Sequence, residues 1–271
     1  MSAHSNPRGG HAAAVGAVIR LSVQQLLRSR RTLVFGLLGA FPPAFATLFA
    51  IVQQIPKLQS RVLGFEVFSY LMYFIYLQVF LIGVALFYGT ALINEEVEDR
   101  TLTYLLLRPT SRRVIVMGKY LTYLLTAALL LLPSVVLTYV ILEGADGFRG
   151  IGRHLPYLMW DLGVMTLGAM AYGALFAFLG TALKRPAMFG LAFVIVWEVL
   201  VTYVPGRFSR FTILHYLLSL FPHSTVQRGV QTLFGFTTSR SLAVVALLLI
   251  SGAFLVLAME VFGRREYVLE Q

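Results

Sequence analysis

The sequence contains no cysteine. That excludes disulfides, thiolate-held metals and a thiol nucleophile, and leaves the redox compartment open. Charge is scarce too: Asp, Glu, Lys and Arg make up 13% of 271 residues, against about 25% in a soluble domain. A phosphate-binding loop is lacking. The one Gly-Lys pair, Gly118-Lys119, runs into Tyr120 and has no upstream glycine at the required spacing. The five histidines (His4, His11, His154, His215 and His223) show no metal-ligand spacing. No cluster of polar residues near an interface suggests an enzyme, so the chain reads as a non-enzyme with no cofactor or metal of its own. What it has in quantity is apolar surface: 58% hydrophobic residues and a mean hydropathy of +0.78. This is the composition of an integral membrane protein.

A membrane-crossing helix needs about 20 apolar residues. Windows of that kind lie near Leu33–Val52, Tyr70–Ile93, Val114–Leu142, Pro156–Leu183, Ala187–Val204 and Leu242–Phe262. The runs are continuous rather than alternating, which favours helices over a membrane barrel. The expected fold is therefore an all-α integral membrane protein with six transmembrane helices. Residues 33–262 form the membrane domain, between an N-terminal segment 1–32 and a tail 263–271. The first 32 residues are polar to amphipathic, unlike a cleaved signal. Within them Val15, Val18, Ile19, Val23, Leu26 and Leu27 recur at helical spacing opposite Arg20, Gln24, Arg28 and Arg31. That is the pattern of an amphipathic helix lying in the interface, as an anchor or as a grip for a partner.

With the N-terminus inside, fourteen Lys and Arg face the cytoplasm and eight face the other side on longer loops. The positive-inside rule then places both termini in the cytoplasm. Basic loops beside anionic lipid account for the net charge of +10 without nucleic acid. On the opposite side, the loop Pro205 to Ser241 holds an apolar run, Phe211–Phe221, too short to cross and ended by Pro222. It is suited to lie on the interface or to dip in and out as a lid.

Three acids fall in or beside the spans. Glu260 is four residues from Arg264, the spacing of an i,i+4 pair. Asp161 follows Trp160 near the outer end of the fourth window, where an interfacial aromatic belt is expected. Glu198 lies deep in the fifth window, where a carboxylate must face the bundle or a wet cavity. Two readings of Glu198 stay open: a buried hydrogen-bonding strut, or a group near the permeation path or outer gate. In the fourth window Ala169, Gly173 and Ala177 fall four apart and, with Thr181, form a small-residue stripe for helix packing.

Between the second and third windows lies INEEVEDRTLTYLLLRPTSRR, residues 93–113. The second span is expected to end near Asn94, after which Asp99 or Thr101 can cap a short helix. Leu102, Leu105 and Leu106 share one face of it, and Pro109 ends it at Arg108. A solvated loop explains the charges but not the aligned leucines. An interfacial anchor explains the leucines, but clustered Glu95, Glu96, Glu98 and Asp99 would be repelled by anionic lipid. A socket on another cytoplasmic protein explains both.

This stretch resembles the first cytoplasmic loop of type-2 ABC transporter permeases. The likeness is carried by Glu96, Glu98, Asp99, Arg100, Thr101, Leu102, Leu105, Leu106, Arg108, Pro109 and Arg112, then Gly118 and Lys119. Thr110 departs from a position that is commonly aliphatic. Trp197-Glu198 followed by Pro205-Gly206-Arg207 is similar to the fifth-span ending of a bacterial exporter branch. The resemblance implies the permease subunit of an ATP-binding-cassette transporter in the bacterial plasma membrane, and an exporter, since exporters predominate in that family. It implies a second permease subunit as partner and a separate ATPase, carrying ATP and Mg, docked on a coupling helix within 94–113. The alternative is an ion-gradient-driven secondary transporter or channel that uses Glu198.

Overall fold

In a computed structural model of the protein, the residues described are 30–55, 63–98, 112–148, 150–201, 207–223 and 238–264. The amphipathic segment before Arg30 and most of the charged loop, residues 99–111, lie outside them. All regular structure among the described residues is helical. Helix α1 is Arg30–Gln53; α2 is Gly64–Leu71, continued by a π-helical stretch Met72–Phe80 into α3, Leu81–Glu98. Next come α4, Arg112–Ala145, and α5, Ile151–Ala182. The chain goes on through α6, Pro186–Phe193, a π-helical stretch Val194–Leu200 and a 3₁₀ turn Arg207–Phe211. Then follow α7, Ile213–Leu220, and α8, Arg240–Arg264.

Among the described residues, five helical stretches are long and apolar enough to cross a membrane: Leu33–Gln53, Gly64–Leu92, Arg113–Ala145, Ile151–Ala182 and Arg240–Arg264. The expected fifth window appears as a shorter apolar helix, Pro186–Glu198. Pro186 sets its start, because proline fits the first helical turn, where its missing N–H costs nothing.

Helix α5 is the hub. It packs most extensively on α3 and α8, and also on α4, α6 and α7. Its buried face carries Tyr172, Gly173, Phe176 and Ala177. Helix α1 leans on α4, and its outward face leaves Leu33, Leu37 and Leu48 exposed, as lipid requires.

Proline inside α1 is tolerated because a neighbour takes the backbone group it releases. Pro43 has no N–H for the carbonyl of Gly39, and Ser134 Oγ of α4 donates to that oxygen instead, at 2.5 Å. Tyr76, within the π-helical stretch, completes this node by bonding Ser134 Oγ at 2.8 Å and Thr138 Oγ1 at 2.7 Å. Three helices are thereby pinned at one polar point inside an apolar bundle.

The α4–α5 hairpin is tight. Gly147 and Phe148 both take positive φ, 71° and 58°, and Phe148 N–H donates to Glu143 O at 2.8 Å. The turn also holds α2, because Asp146 Oδ2 accepts the N–H of Gly64 at 2.8 Å. A carboxylate at a helix N-terminus opposes the helix dipole favourably. No side chain is possible at Gly64: a Cβ there would sit 2.3 Å from Leu142 O.

Candidate functional site

Two regions at opposite ends of the bundle gather the polar groups. At the charged-loop end, the apolar stretch stops at Leu92, close to the expected end of the span at Asn94, and α3 runs on as helix to Glu98. Glu95, Glu96 and Glu98 therefore belong to the last turns of the helix that continues the second span. Helical propensity of Glu outweighs the change in polarity. Asp99, Arg100, Thr101, Leu102, Leu105, Leu106, Arg108 and Pro109 lie outside the described residues, and Arg112 opens α4.

The two helices that flank this loop are braced beneath it. Lys119 of α4 donates from Nζ to Leu92 O of α3 at 2.6 Å. Arg113 Nη2 donates to Glu260 Oε1 of α8 at 2.6 Å. The expected Glu260–Arg264 pair is present but longer, at 3.7 Å. The Arg113 bridge was not legible in the sequence, since its partners stand 147 residues apart. Below it, Val116, Ala258 and Phe262 form a small apolar cluster between α4 and α8.

The hairpin end is built around α7. Eight residues rise about 12 Å, too little to cross a bilayer. Thr212 caps α7, its Oγ1 accepting from His215 N–H at 3.2 Å. Glu198 supplies the rest of the cap from another segment. Its Oε1 accepts from Ile213 N–H at 3.1 Å, and its Oε2 from Leu214 N–H at 3.0 Å and Tyr172 O–H at 2.9 Å. Glu198 is fully buried. One carboxylate thus joins the fifth apolar segment, α5 and the N-terminus of α7, whose unpaired N–H groups seek an acceptor.

The far end of α7 is held by a second acid. Asp161, next to Trp160, is fully buried within the bundle, and its Oδ2 is 2.9 Å from His223 Nε2. His223 Nδ1 in turn lies 2.7 Å from Ser69 Oγ of α2. Trp160 donates from Nε1 to Leu220 O at 2.6 Å, under a cation–π contact from Arg240. Nearby, Glu143 Oε1 meets His154 Nδ1 at 2.6 Å. The Phe65 ring stacks on His154 at 3.9 Å and faces His223 at 5.2 Å.

His215, within α7, places Nε2 3.0 Å from Thr238 Oγ1. Burial, and secondarily the charge of Arg210, hold its ring below the ordinary histidine value of 6.5. The neutral ring is the form that this pocket accommodates.

The small-residue stripe of α5 faces its neighbours at close range. At Gly173 a Cβ would sit 2.0 Å from the Tyr123 ring. Tyr123 O–H donates to Ala169 O at 2.9 Å. Ala177 N lies 3.6 Å from the position a Cβ would take on Gly89 of α3.

Sequence reasoning missed Ser69, His223, Tyr172 and the Glu143–His154 pair. Serine and histidine beside a span carry no periodic signal, and their partners are distant in the chain. Compared with known protein families, residues 17–267 match the family described as ABC-2 family transporter protein. No curated protein matches the chain.

Proposed function

Since the chain belongs to the ABC-2 family of transporter proteins, we propose that it is the permease subunit of an ATP-driven exporter. Two permease subunits pair in the bacterial plasma membrane. A separate ATPase, which binds ATP and Mg, docks on the 94–113 loop. The segment Ala187–Val204 makes the fifth of six crossings, both termini lie in the cytoplasm, and the helix in 1–32 rests on the inner interface. The hairpin end then faces outward, and α7 serves as a plug on that side.

The observation that carries this reading is the brace under the loop. With Lys119 on Leu92 O and Arg113 on Glu260, both at 2.6 Å, a push on the loop moves α3, α4 and α8 together. Rigid elements that shift as bodies are what alternating exposure of a cavity requires. Glu198 supports the strut reading over the gradient-driven one: three donors occupy its two oxygens. A proton or ion carrier needs a carboxylate free to change partners.

Purification from native membrane tests the proposal. An ATP-hydrolysing subunit is expected to accompany the chain, and its turnover to depend on it. If no such subunit copurifies and none is stimulated after reconstitution, the reading is overturned.

A further inference from the structure

The structure assigns a proton-binding site to Ser69, His223 and Asp161, and we propose that proton uptake there releases the α7 plug. The inference rests on the plug role given to α7 above.

The donor and acceptor inventory comes first. Ser69 has one hydroxyl proton, and the geometry fits donation to Phe65 O at 2.8 Å. His223 Nδ1 must then carry a proton to satisfy Ser69 Oγ at 2.7 Å. A second proton is shared between Nε2 and Asp161 Oδ2 at 2.9 Å. This arrangement is neutral overall. Removing one proton is also accommodated: Ser69 turns from Phe65 O to Nδ1, while Nε2–H still serves Asp161. The hydroxyl of Ser69 is the element that changes partner.

Adding a proton is different. Nε2–H already occupies Oδ2, so the new proton falls on Asp161 Oδ1. That atom is buried and has no hydrogen-bond partner among the described residues. The site would then hold an orphan donor and a net positive charge, ringed by Phe65, Phe68, Tyr157 and Phe221 at 4.7 to 6.0 Å from the His223 ring. A buried unpaired donor and an uncompensated charge both favour exposure to water. His223 lies three residues past α7, so the way to water is to lift the plug.

Among the described residues, the surroundings supply no further counter-charge in contact. From α5 the titratable neighbours are Tyr157, Asp161 and His154, and His154 is paired to Glu143 of α4. From α2, Ser69 and the Phe65 and Phe68 rings face His223. From α8, Arg240 engages Trp160. Within α7, His215 is bonded to Thr238. A hydrolase reading of the Ser–His–Asp order fails, because Ser69 is only 3% exposed and its hydroxyl is committed within the bundle.

The absence of cysteine makes the test direct. Ser219, 3% exposed on α7, becomes a reporter as Ser219→Cys, with Leu218→Cys as a second reporter should the first fold poorly. Both carry His215→Gln, so that His215 itself does not titrate. The full chain is placed in lipid nanodiscs and labelled with a membrane-impermeant maleimide, correcting for the reagent's own pH dependence with an exposed cysteine. Labelling is expected to rise as the pH is lowered, by up to about tenfold per pH unit, the slope that one linked proton sets. Asp161→Asn and His223→Gln should make the rate independent of pH, while His154→Gln should leave the rise in place. A flat rate in the reporter, or an unchanged rise in His223→Gln, overturns the proposal. No ATPase is needed, so failure here is separate from failure of the permease reading.

Discussion

Glutamate to glutamine at position 198 changes one atom and removes one charge, and the structure sets what that should cost. Oε1 takes one backbone N–H, and Oε2 takes another together with the Tyr172 hydroxyl. A glutamine amide has one oxygen. Turned to serve Leu214 and Tyr172, it aims its NH₂ at the N–H of Ile213, so one buried donor loses its acceptor. Leaving a buried donor unpaired costs about 1–3 kcal/mol, and losing the charge at the start of α7 adds about 0.3–1 kcal/mol. Glu198→Gln should therefore destabilise by about 2–3 kcal/mol. Tyr172→Phe removes one bond to a charged acceptor, worth about 1.5–3 kcal/mol. The two substitutions share a partner, so the double variant should fall short of additive by about 1 kcal/mol. Thermal unfolding of the four proteins in one detergent, paired with transport in vesicles, measures both consequences. A strut predicts that transport is lost in step with stability. Undiminished melting of Glu198→Gln with transport abolished would refute the strut, as would full additivity with Tyr172→Phe.

Replacing Leu105 or Leu106 with Asp should detach the ATPase while melting stays within about 0.5 kcal/mol of the parent, as for a surface change; retained coupled turnover would refute the socket. Gly173→Ala drives a methyl to 2.0 Å from the buried Tyr123 ring and should destabilise by about 1–3 kcal/mol or more. Gly163→Ala, with nothing within 4 Å of the new Cβ, should be stabilising by about 0.5–1 kcal/mol; thermal melts rank the pair. His215, held below 6.5 by burial and then by Arg210, binds fewer protons folded than unfolded. Its share of stability is complete above about pH 6.5 and is lost as pH falls below that value. His215→Gln should therefore flatten part of the acid-side fall in melting temperature, read from melts across that range.

The charged loop shows where reading the sequence reaches its limit. Its composition marked it out as unlike the spans on either side, and the family match agrees with the resemblance its residues carry. The apolar stretch ends at Leu92, close to the expected Asn94, but the helix goes on to Glu98, and how far its turns continue past the apolar part is decided by backbone geometry rather than by polarity. The brace formed by Lys119, Arg113 and Glu260 left no trace in local pattern. Each partner is an ordinary interfacial residue until α3, α4 and α8 lie side by side.

By itself the sequence determined that the protein is helical and built for a membrane. Continuous apolar windows can satisfy their backbone groups in lipid only as helices, and that follows from length and composition without tertiary information. Sequence also isolated Glu198, since a carboxylate in such a window demands a partner. Only the folded chain decided who those partners are. The N–H groups of Ile213 and Leu214 reach Glu198 because α7 folds back against α5, and His223 reaches Asp161 across 62 residues for the same reason. Burial forces polar groups to pair, but which groups meet depends on the packing of helices far apart in the chain.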